Sequence, residues 1–144
     1  MDVSLAADPV TVANRLRPVL LKLNRDLRRE IHSLGVTGGQ VSLLALIRRE
    51  PGIGVRELAA RERMSAAGMS KYVARLEEAG LVARTELADR RRVGIVLTPS
   101  GHRVLRSVRS RRTAWLAERL RDLSGEELAA IDAAVEPLAR LIGE

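Results

Sequence analysis

Apolar side chains recur along the chain with a helical period that is broken in one place by a strand-like alternation. From Pro9 to about Ser33 they follow one another at steps of three and four, the spacing of a narrow helix face. Pro18 lies inside this pattern, so we expect either a kink or a helix that begins there. The stripe predicts core packing within the chain or a seam between two copies. Its members are Ala13, Leu16, Leu20, Leu23 and Leu27, with Leu34 continuing it.

Two shorter helices are predicted next. Thr37 and Gln40 have the spacing of a capping box, which predicts a second helix that ends before Pro51. Residues 53–55 could form a very short strand. Residues 56–62 then predict a third, short helix, because its two central apolar residues suit a buried side.

A fourth helix is predicted over residues 66–79. Ser65 is a good N-cap residue, and Gly80 stands where helices commonly end. The expected apolar face of this helix consists of Met69, Tyr72, Val73 and Leu76.

The period changes to two after Gly80. Residues 81–87 predict a strand and residues 88–91 a turn. Val93, Ile95 and Leu97 occupy every second position, which predicts a second strand with one buried face. The result is a hairpin with a strongly basic tip.

Two helices are predicted to complete the chain. Thr98 followed by Pro99 is a helix start, and the long helix that follows reaches about Asp122. Ser124 and Glu127 form a second capping box, which opens the last helix. The apolar positions of that last helix are Leu128, Ile131, Val135, Leu138 and Ile142.

This order of elements predicts a mainly α fold with a small β-hairpin wing. A short helix, a tight turn, an amphipathic helix and a basic hairpin form a winged helix-turn-helix, expected over residues 36–99. The apolar residues outside it exceed what a domain of about sixty residues needs to bury. We therefore expect residues 1–35 and 100–144 to form a helical dimerisation domain of a homodimer.

Net charge and aromatic content restrict the kinds of molecule that this protein is expected to bind. The formal net charge is +7, which points to nucleic acid, a membrane surface or an acidic protein. Only Lys22 and Lys71 are lysines among the 25 basic residues, and we attribute that ratio mainly to a GC-rich bacterial genome. The aromatic residues are Trp115 and Tyr72 alone, so recognition of single strands or RNA by base stacking is poorly supported.

Other classes of protein are disfavoured. The absence of cysteine excludes disulfides, zinc–thiolate sites and thiol chemistry. No apolar run approaches the roughly 18 residues of a membrane span, and the first residues lack a signal-peptide pattern, so we expect a cytoplasmic protein without membrane contact. No catalytic motif and no cofactor fingerprint occurs. A metal site built from His32, His102 and a carboxylate stays open as an alternative, although surface or capping roles suit both histidines better.

The fourth helix carries the candidate contacts to double-stranded DNA. Small residues at its start permit close approach to bases, while hydroxyl and basic groups can reach base edges or phosphates. An ordinary surface helix is the alternative interpretation. The candidates are Ser65, Ala66, Ala67, Ser70, Lys71 and Arg75. Thr37 and Gln40, at the start of the second helix, are candidates for contacts to the DNA backbone.

The hairpin tip strengthens the DNA interpretation. Arg90, Arg91 and Arg92 follow one another beside Asp89. Narrow minor grooves concentrate negative potential and favour inserted Arg. Asp89 suits an internal partner that fixes the pose of one Arg.

A second basic cluster lies on the long helix. Its members could contact or steer DNA. We slightly favour the alternative, a solvated face with salt bridges to acids such as Glu30 or Glu118. The cluster consists of Arg103, Arg106, Arg109, Arg111 and Arg112.

Several motifs together resemble the MarR (multiple antibiotic resistance regulator) family over essentially the whole chain. They are Leu58-Ala59, the turn Met64-Ser65, LEEAGLV at 76–82, DRR at 89–91 and LTPSG at 97–101. The resemblance implies a homodimer that reads a near-palindromic site. It also implies that Asp89 and Arg91 occupy the family's Asp-x-Arg wing positions, with Arg91 the minor-groove residue. Pro18 and the extra Arg92 depart from the pattern.

The resemblance further implies a small, often anionic or aromatic effector bound between the winged and dimerisation parts. Arg17, His32 and Trp115 are candidates by position, although Trp115 also suits plain core. The leading hypothesis is a repressor that the effector releases from its operator. The alternatives are an architectural or activating DNA binder without an effector, and a protein-interaction module whose basic face meets an acidic partner.

Overall fold

Six α-helices and one two-stranded hairpin make up the part of the chain that the structure describes, residues 7–86 and 93–143 of a computed structural model. The mainly α fold with a β-hairpin is therefore confirmed. No helix within these ranges is long and apolar enough to cross a membrane. In chain order the elements are α1 (Pro9–Glu30), a 3-10 helix (His32–Leu34), α2 (Gly38–Arg49), α3 (Val55–Arg61), α4 (Ala66–Glu78), β1 (Val82–Glu86), β2 (Val93–Leu97), α5 (Pro99–Leu120) and α6 (Gly125–Arg140).

Side-chain caps define the starts of five of the six described α-helices, largely as the sequence predicts, while α3 begins after Gly54 without one. Both capping boxes are formed, Thr37 with Gln40 and Ser124 with Glu127, so two otherwise unpaired amides are satisfied at each helix start. The hydrogen bonds that the backbone and side chain of Ser124 share with Glu127 lower the pKa of the Glu127 carboxyl.

The first helix begins well before Pro18, where one of the two expectations placed its start. The Asp8 carboxylate accepts hydrogen bonds from the backbone amide and the hydroxyl of Thr11, both at 3.1 Å, which starts α1 at Pro9. The helix then runs on through Pro18 to Glu30. The expectation of a helix that begins only at Pro18 is therefore wrong, because the cap at Asp8, ten residues upstream, starts the helix before the proline.

The hairpin differs in two details from its prediction. Ile53 joins it only through a single bridge to Ile95, instead of forming a short strand. In β2 the expected burial pattern fails at one end, since Val93 is exposed while Gly94 is buried. The reason is that the backbone of Gly52 passes over Gly94, at 2.5 Å from where a Cβ atom would lie.

The hydrophobic core lies in the winged part of the chain. Its fully buried side chains come from the segment between residues 31 and 95, and Leu105 and Val108 of α5 complete it. By contrast, neither α1 nor α6 contributes a single buried residue. The largest fully buried side chains are Ile31, Leu44, Ile47, Leu58, Met69, Val73, Leu76 and Ile95.

One junction joins the long helix α5 to the winged core. The Thr98 hydroxyl donates a hydrogen bond to the Gly80 carbonyl at 2.5 Å, and the Thr98 amide donates to the Leu81 carbonyl at 3.1 Å. Gly101, one turn into α5, lies so close to the Leu81 carbonyl oxygen that a Cβ atom would overlap it. The Gly80-Leu81 and Thr98–Gly101 motifs are thus the two halves of one contact.

Gly101→Ala should lower the free energy of unfolding by about 2–3 kcal/mol, because the added methyl group meets backbone and forces α5 away from the core. Urea unfolding followed by circular dichroism measures this. Gly125→Ala is the matched control, since a Cβ atom there meets nothing within 4 Å, and it should change stability by less than about 1 kcal/mol. Equal effects of the two substitutions would refute the role of the junction.

Candidate nucleic-acid interface

Helices α3 and α4 pack as a helix-turn-helix. Leu58 of α3 and the Met69, Val73 and Leu76 side of α4 are all buried at 1% exposure or less. In the turn between them Arg63 adopts a left-handed conformation with φ of 54°, which is unusual for a residue other than glycine. Buried contact on one side leaves the opposite side of α4 free to face a ligand.

That opposite side carries the residues predicted to contact DNA, and all six are exposed. They are Ser65, Ala66, Ala67, Ser70, Lys71 and Arg75. The Ser65 hydroxyl oxygen accepts the Gly68 amide hydrogen at 3.0 Å as the N-cap of α4. Its own O–H can still donate to an outside acceptor. The arrangement offers small side chains at the helix start and two cations further along.

The start of α2 lies beside α4. The Tyr72 hydroxyl of α4 is 3.3 Å from where a Cβ atom on Gly39 would stand. Thr37 and Gln40, the predicted backbone contacts, use their side-chain oxygens within the capping box, at 3.1 and 2.9 Å. The Thr37 hydroxyl and the Gln40 amide group each keep a donor, which is the type of group that a phosphate oxygen accepts. Our sequence analysis treated Tyr72 only as an apolar position and missed this contact.

The stem of the wing is anchored to α4 and to the core. Its strands pair from Val82 opposite Leu97 to Glu86 opposite Val93. Arg84 of β1 lies 3.4 Å from the carboxylate of Glu77 on α4, measured from Nε to Oε1. The six intervening residues contain the four predicted residues of the wing, which lie outside the described part of the chain. These are Asp89, Arg90, Arg91 and Arg92.

An exposed ion-pair cluster connects α2 and α3 behind the interface. Arg61 contacts Glu50 at 2.9 Å and Glu57 at 3.4 Å. Hydrogen bonding to Glu50 and its charge raise the pKa of the Arg61 guanidinium. Such exposed pairs contribute little to stability.

The three predicted effector residues differ in their exposure and contacts. Arg17 is exposed and donates from Nη1 to Asn14 Oδ1 at 3.1 Å, and His32 is exposed at the start of the 3-10 helix. Trp115 is 8% exposed, with the Arg119 guanidinium carbon 3.9 Å from its ring centroid. None of the three lines the cleft described next.

A cleft of about 700 Å³ runs along α5 beside the 3-10 helix. Its lining combines arginines and serines and contains no carboxylate: Leu34, Arg103, Arg106, Ser107, Ser110, Arg111 and Ala114. The salt bridges expected for this basic cluster are therefore wrong for the described part of the chain, where the ion pairs involve only Arg61 and Arg84. Arg103 instead donates to Ser100 Oγ at 2.8 Å.

Neither histidine lies beside enough other possible ligands, among the described residues, to hold a metal ion. Across residues 7–86 and 93–143, no three His, Cys, Asp or Glu side chains gather closely enough to hold one. The alternative of a site built on His32 and His102 is therefore not supported in the described residues.

Known proteins are similar to this chain in both sequence and fold. A helix-turn-helix-type transcriptional regulator of Mycobacterium tuberculosis is 31% identical over 134 residues, 92% of this chain and 94% of that protein. A MarR family model matches residues 34–92. The chain belongs to the MarR family. Members of this family are DNA-binding transcription regulators and not enzymes.

Two further comparisons extend the likeness. The transcriptional repressor MdtR of Bacillus subtilis is 29% identical over 114 residues, 78% of this chain and 74% of that protein. A solved MarR family structure from Bacillus stearothermophilus superposes with a TM-score of 0.78 at 27% identity, and covers 96% of this chain and all of that one. The flanking helices therefore belong to the shared MarR fold together with the winged part.

Relief of the strained turn should stabilise the MarR helix-turn-helix. Arg63→Gly is expected to raise the free energy of unfolding by about 1 kcal/mol, because glycine adopts positive φ without a Cβ clash. Arg56→Gly is the control, since it removes the same charge from an exposed α3 position and should cost about 1 kcal/mol. Chemical denaturation distinguishes the two. Destabilisation by Arg63→Gly would show that the side chain of Arg63 outweighs its backbone strain.

Proposed function

We propose that this MarR family regulator is a repressor that binds a near-palindromic operator as a homodimer and is released by a small anionic or aromatic effector. The observation that carries the proposal is the exposed polar and basic side of α4, held beside an anchored wing stem. The related MdtR is named a repressor, which supports repression rather than activation.

The DNA contact is proposed to divide between two grooves. The start of α4 enters the major groove, where Lys71 and Arg75 can reach guanine edges or phosphates. Thr37 and Gln40 contact the backbone through their remaining donors. At the wing tip Arg91 enters the minor groove while Asp89 holds a neighbouring Arg. The net charge of +7 supports attraction to phosphate throughout.

The homodimer is proposed from apolar surface that one copy leaves uncovered. Outside the winged part, α1 and α6 expose many large apolar side chains, although each helix has the spacing of a buried stripe. Residues 1–35 and 100–144 would form the dimerisation domain, so that two winged parts face successive half-sites. The side chains concerned include Val10, Val12, Val19, Leu20, Leu21, Leu23, Leu128, Ile131, Val135, Leu138, Leu141 and Ile142.

The α5 cleft supports an anionic effector. Three guanidiniums and two hydroxyls line a volume suited to a small organic molecule, with no acid among them to compensate the charge. The cleft adjoins the 3-10 helix that links α1 to the winged core, so an occupant would bias the angle between the two parts. Arg17, His32 and Trp115 stay candidates for this role from their position in the sequence.

Two alternative functions rest on the same basic surface. An architectural or activating DNA binder would bind duplexes but lack an effector response. A protein-interaction module would bind an acidic partner and show weak DNA binding that is indifferent to sequence. Salt-dependent binding to a specific duplex, compared with a random one, distinguishes the second alternative from the repressor.

Substitutions in the two DNA-contacting elements should have different effects. Arg75→Ala and Lys71→Ala should change the preferred bases, at about 1–3 kcal/mol each, if they read base edges. Arg91→Ala should weaken binding to every operator variant and leave the dimer intact. Fluorescence anisotropy with duplexes selected from random DNA measures both effects.

Arg121→Ala is the control for these DNA measurements, because it removes one exposed charge at the far end of α5. It should leave base preference unchanged. A uniform loss with Lys71→Ala and Arg75→Ala would reduce these residues to phosphate contacts. Unchanged affinity of Arg91→Ala would remove the wing from the proposal.

Introducing a charge into the proposed seam should dissociate the dimer. Ile131→Asp places a carboxylate on the apolar side of α6 and should weaken association at least tenfold, because burying an unpaired charge costs several kcal/mol. Sedimentation velocity measures the association. Val93→Lys is the control, since Val93 is similarly exposed at 48% but lies in the wing. Unchanged association of Ile131→Asp would exclude α6 from the seam.

A further inference from the structure

The turn between α3 and α4 has the hydrogen bonds of a Schellman motif. The Met64 amide donates to the Ala59 carbonyl at 2.9 Å. The Arg63 amide donates to the Ala60 carbonyl at 3.4 Å. In this motif the residue just beyond the helix C-cap adopts a left-handed conformation and is usually glycine. Here that residue is Arg63, which follows the C-cap of α3 and has φ of 54°.

The equivalent motif at the end of α4 has glycine in this place. The Leu81 amide donates to the Leu76 carbonyl at 3.0 Å, and the Gly80 amide donates to the Glu77 carbonyl at 2.9 Å. The left-handed residue there is Gly80, with φ of 76°. Every other residue with positive φ in the described part of the chain is also glycine. Arginine at the end of α3 therefore strains the backbone where glycine would form the same turn without strain.

Charge contacts within the described structure do not account for this arginine. The Arg63 side chain is exposed and takes part in no salt bridge within residues 7–86 and 93–143. The two helix ends beside it act in opposite directions, because the C-terminal end of α3 attracts a cation while the N-terminal end of α4 repels one. Backbone strain without a stabilising contact is typical of residues that act on a ligand.

The position of Arg63 indicates which ligand it would meet. It lies two residues before Ser65, the N-cap of α4, and residues 63–67 are all exposed. The exposed surface at the start of α4 therefore begins with this arginine. A chain that leads into a helix lying in the major groove crosses the edge of the groove, where the phosphates are. Phosphate oxygens also accept most hydrogen bonds in protein–DNA complexes.

We propose that the Arg63 guanidinium binds a phosphate of the DNA backbone at the edge of the groove that α4 enters. Its planar fork fits two phosphate oxygens and donates charge-assisted hydrogen bonds to them. The strained turn is then kept for a contact outside the protein, at the expense of the stability of the free chain. This inference rests on the proposed function, since it requires that α4 faces DNA, and it adds a contact that the sequence analysis did not name.

Fluorescence anisotropy of the full chain on a duplex selected from random DNA, and on a scrambled one, tests the contact. Arg63→Gly should weaken binding to both duplexes at least about tenfold, because a hydrogen bond between charged groups is lost. The preferred bases should stay the same. The slope of log affinity against log salt should fall by about one for each copy of the chain bound. A purely structural role of Arg63 would not change this slope.

Three further variants separate charge from backbone conformation. Arg63→Asn removes the charge but suits a left-handed backbone, so it should behave like Arg63→Gly. Arg63→Lys keeps both the charge and the strain, and should keep the salt slope of the wild type. Arg121→Ala removes an exposed charge at the far end of α5 and should leave affinity and slope unchanged.

The possible failures of this inference and of the proposed function are distinguishable. If the wild type prefers the selected duplex but Arg63→Gly matches it in affinity and slope, the contact is overturned while the proposed function stands. A change of preferred bases in Arg63→Gly would overturn the assignment to phosphate. Equal and weak wild-type binding to both duplexes would overturn the proposed function and this inference together.

Discussion

The close contact between Gly101 and the carbonyl oxygen of Leu81 sets how the long helix α5 leaves the winged core. Thr98 completes it with two hydrogen bonds, one to Gly80 and one to Leu81. Because Gly80 lies just beyond the end of α4, the same contact fixes α5 relative to α4. A movement of α5 would thereby be transmitted to α4, which is the coupling that an effector-controlled regulator needs.

Uncompensated positive charge is the second organising feature. The described ion pairs use two of the arginines, and both lie in the winged part. Within residues 7–86 and 93–143, the arginines that line the α5 cleft take part in no salt bridge. These cleft arginines are exposed, so their positive charge is open to an anionic partner from solution. In the proposed function, DNA binds the basic side of α4 and an anionic effector binds the α5 cleft.

Local signals in the sequence predicted much of this fold. Capping residues such as Thr37, Ser65 and Ser124 act on amides within three positions, so the helix starts could be predicted from neighbouring residues alone. The exposed side of α4 followed from its 3.6-residue period in the same way. The sequence therefore predicted which side chains α4 exposes. The wing tip lies outside the described residues, and its role stays a prediction.

Features that depend on distant segments were not predictable. The burial of Gly94 arises from Gly52, more than forty residues earlier, which no period within β2 reveals. Likewise, the prediction of salt bridges for the α5 arginines failed because the sequence does not show which acids lie nearby in the fold. The approach of Arg28 to Gly38 depends on how α1 packs against the start of α2. The contact between Tyr72 and Gly39 has the same origin, although the single tyrosine of the chain was a signal worth following.

The central claim is that this protein recognises a particular DNA sequence. Fluorescence anisotropy of the wild type on a duplex selected from random DNA, against a scrambled duplex at several salt concentrations, tests it most directly. The account predicts a preference of about a thousandfold or more, with affinity for both duplexes falling steeply as salt increases. Selection that enriches no sequence, with equal and weak binding to both duplexes, would contradict it.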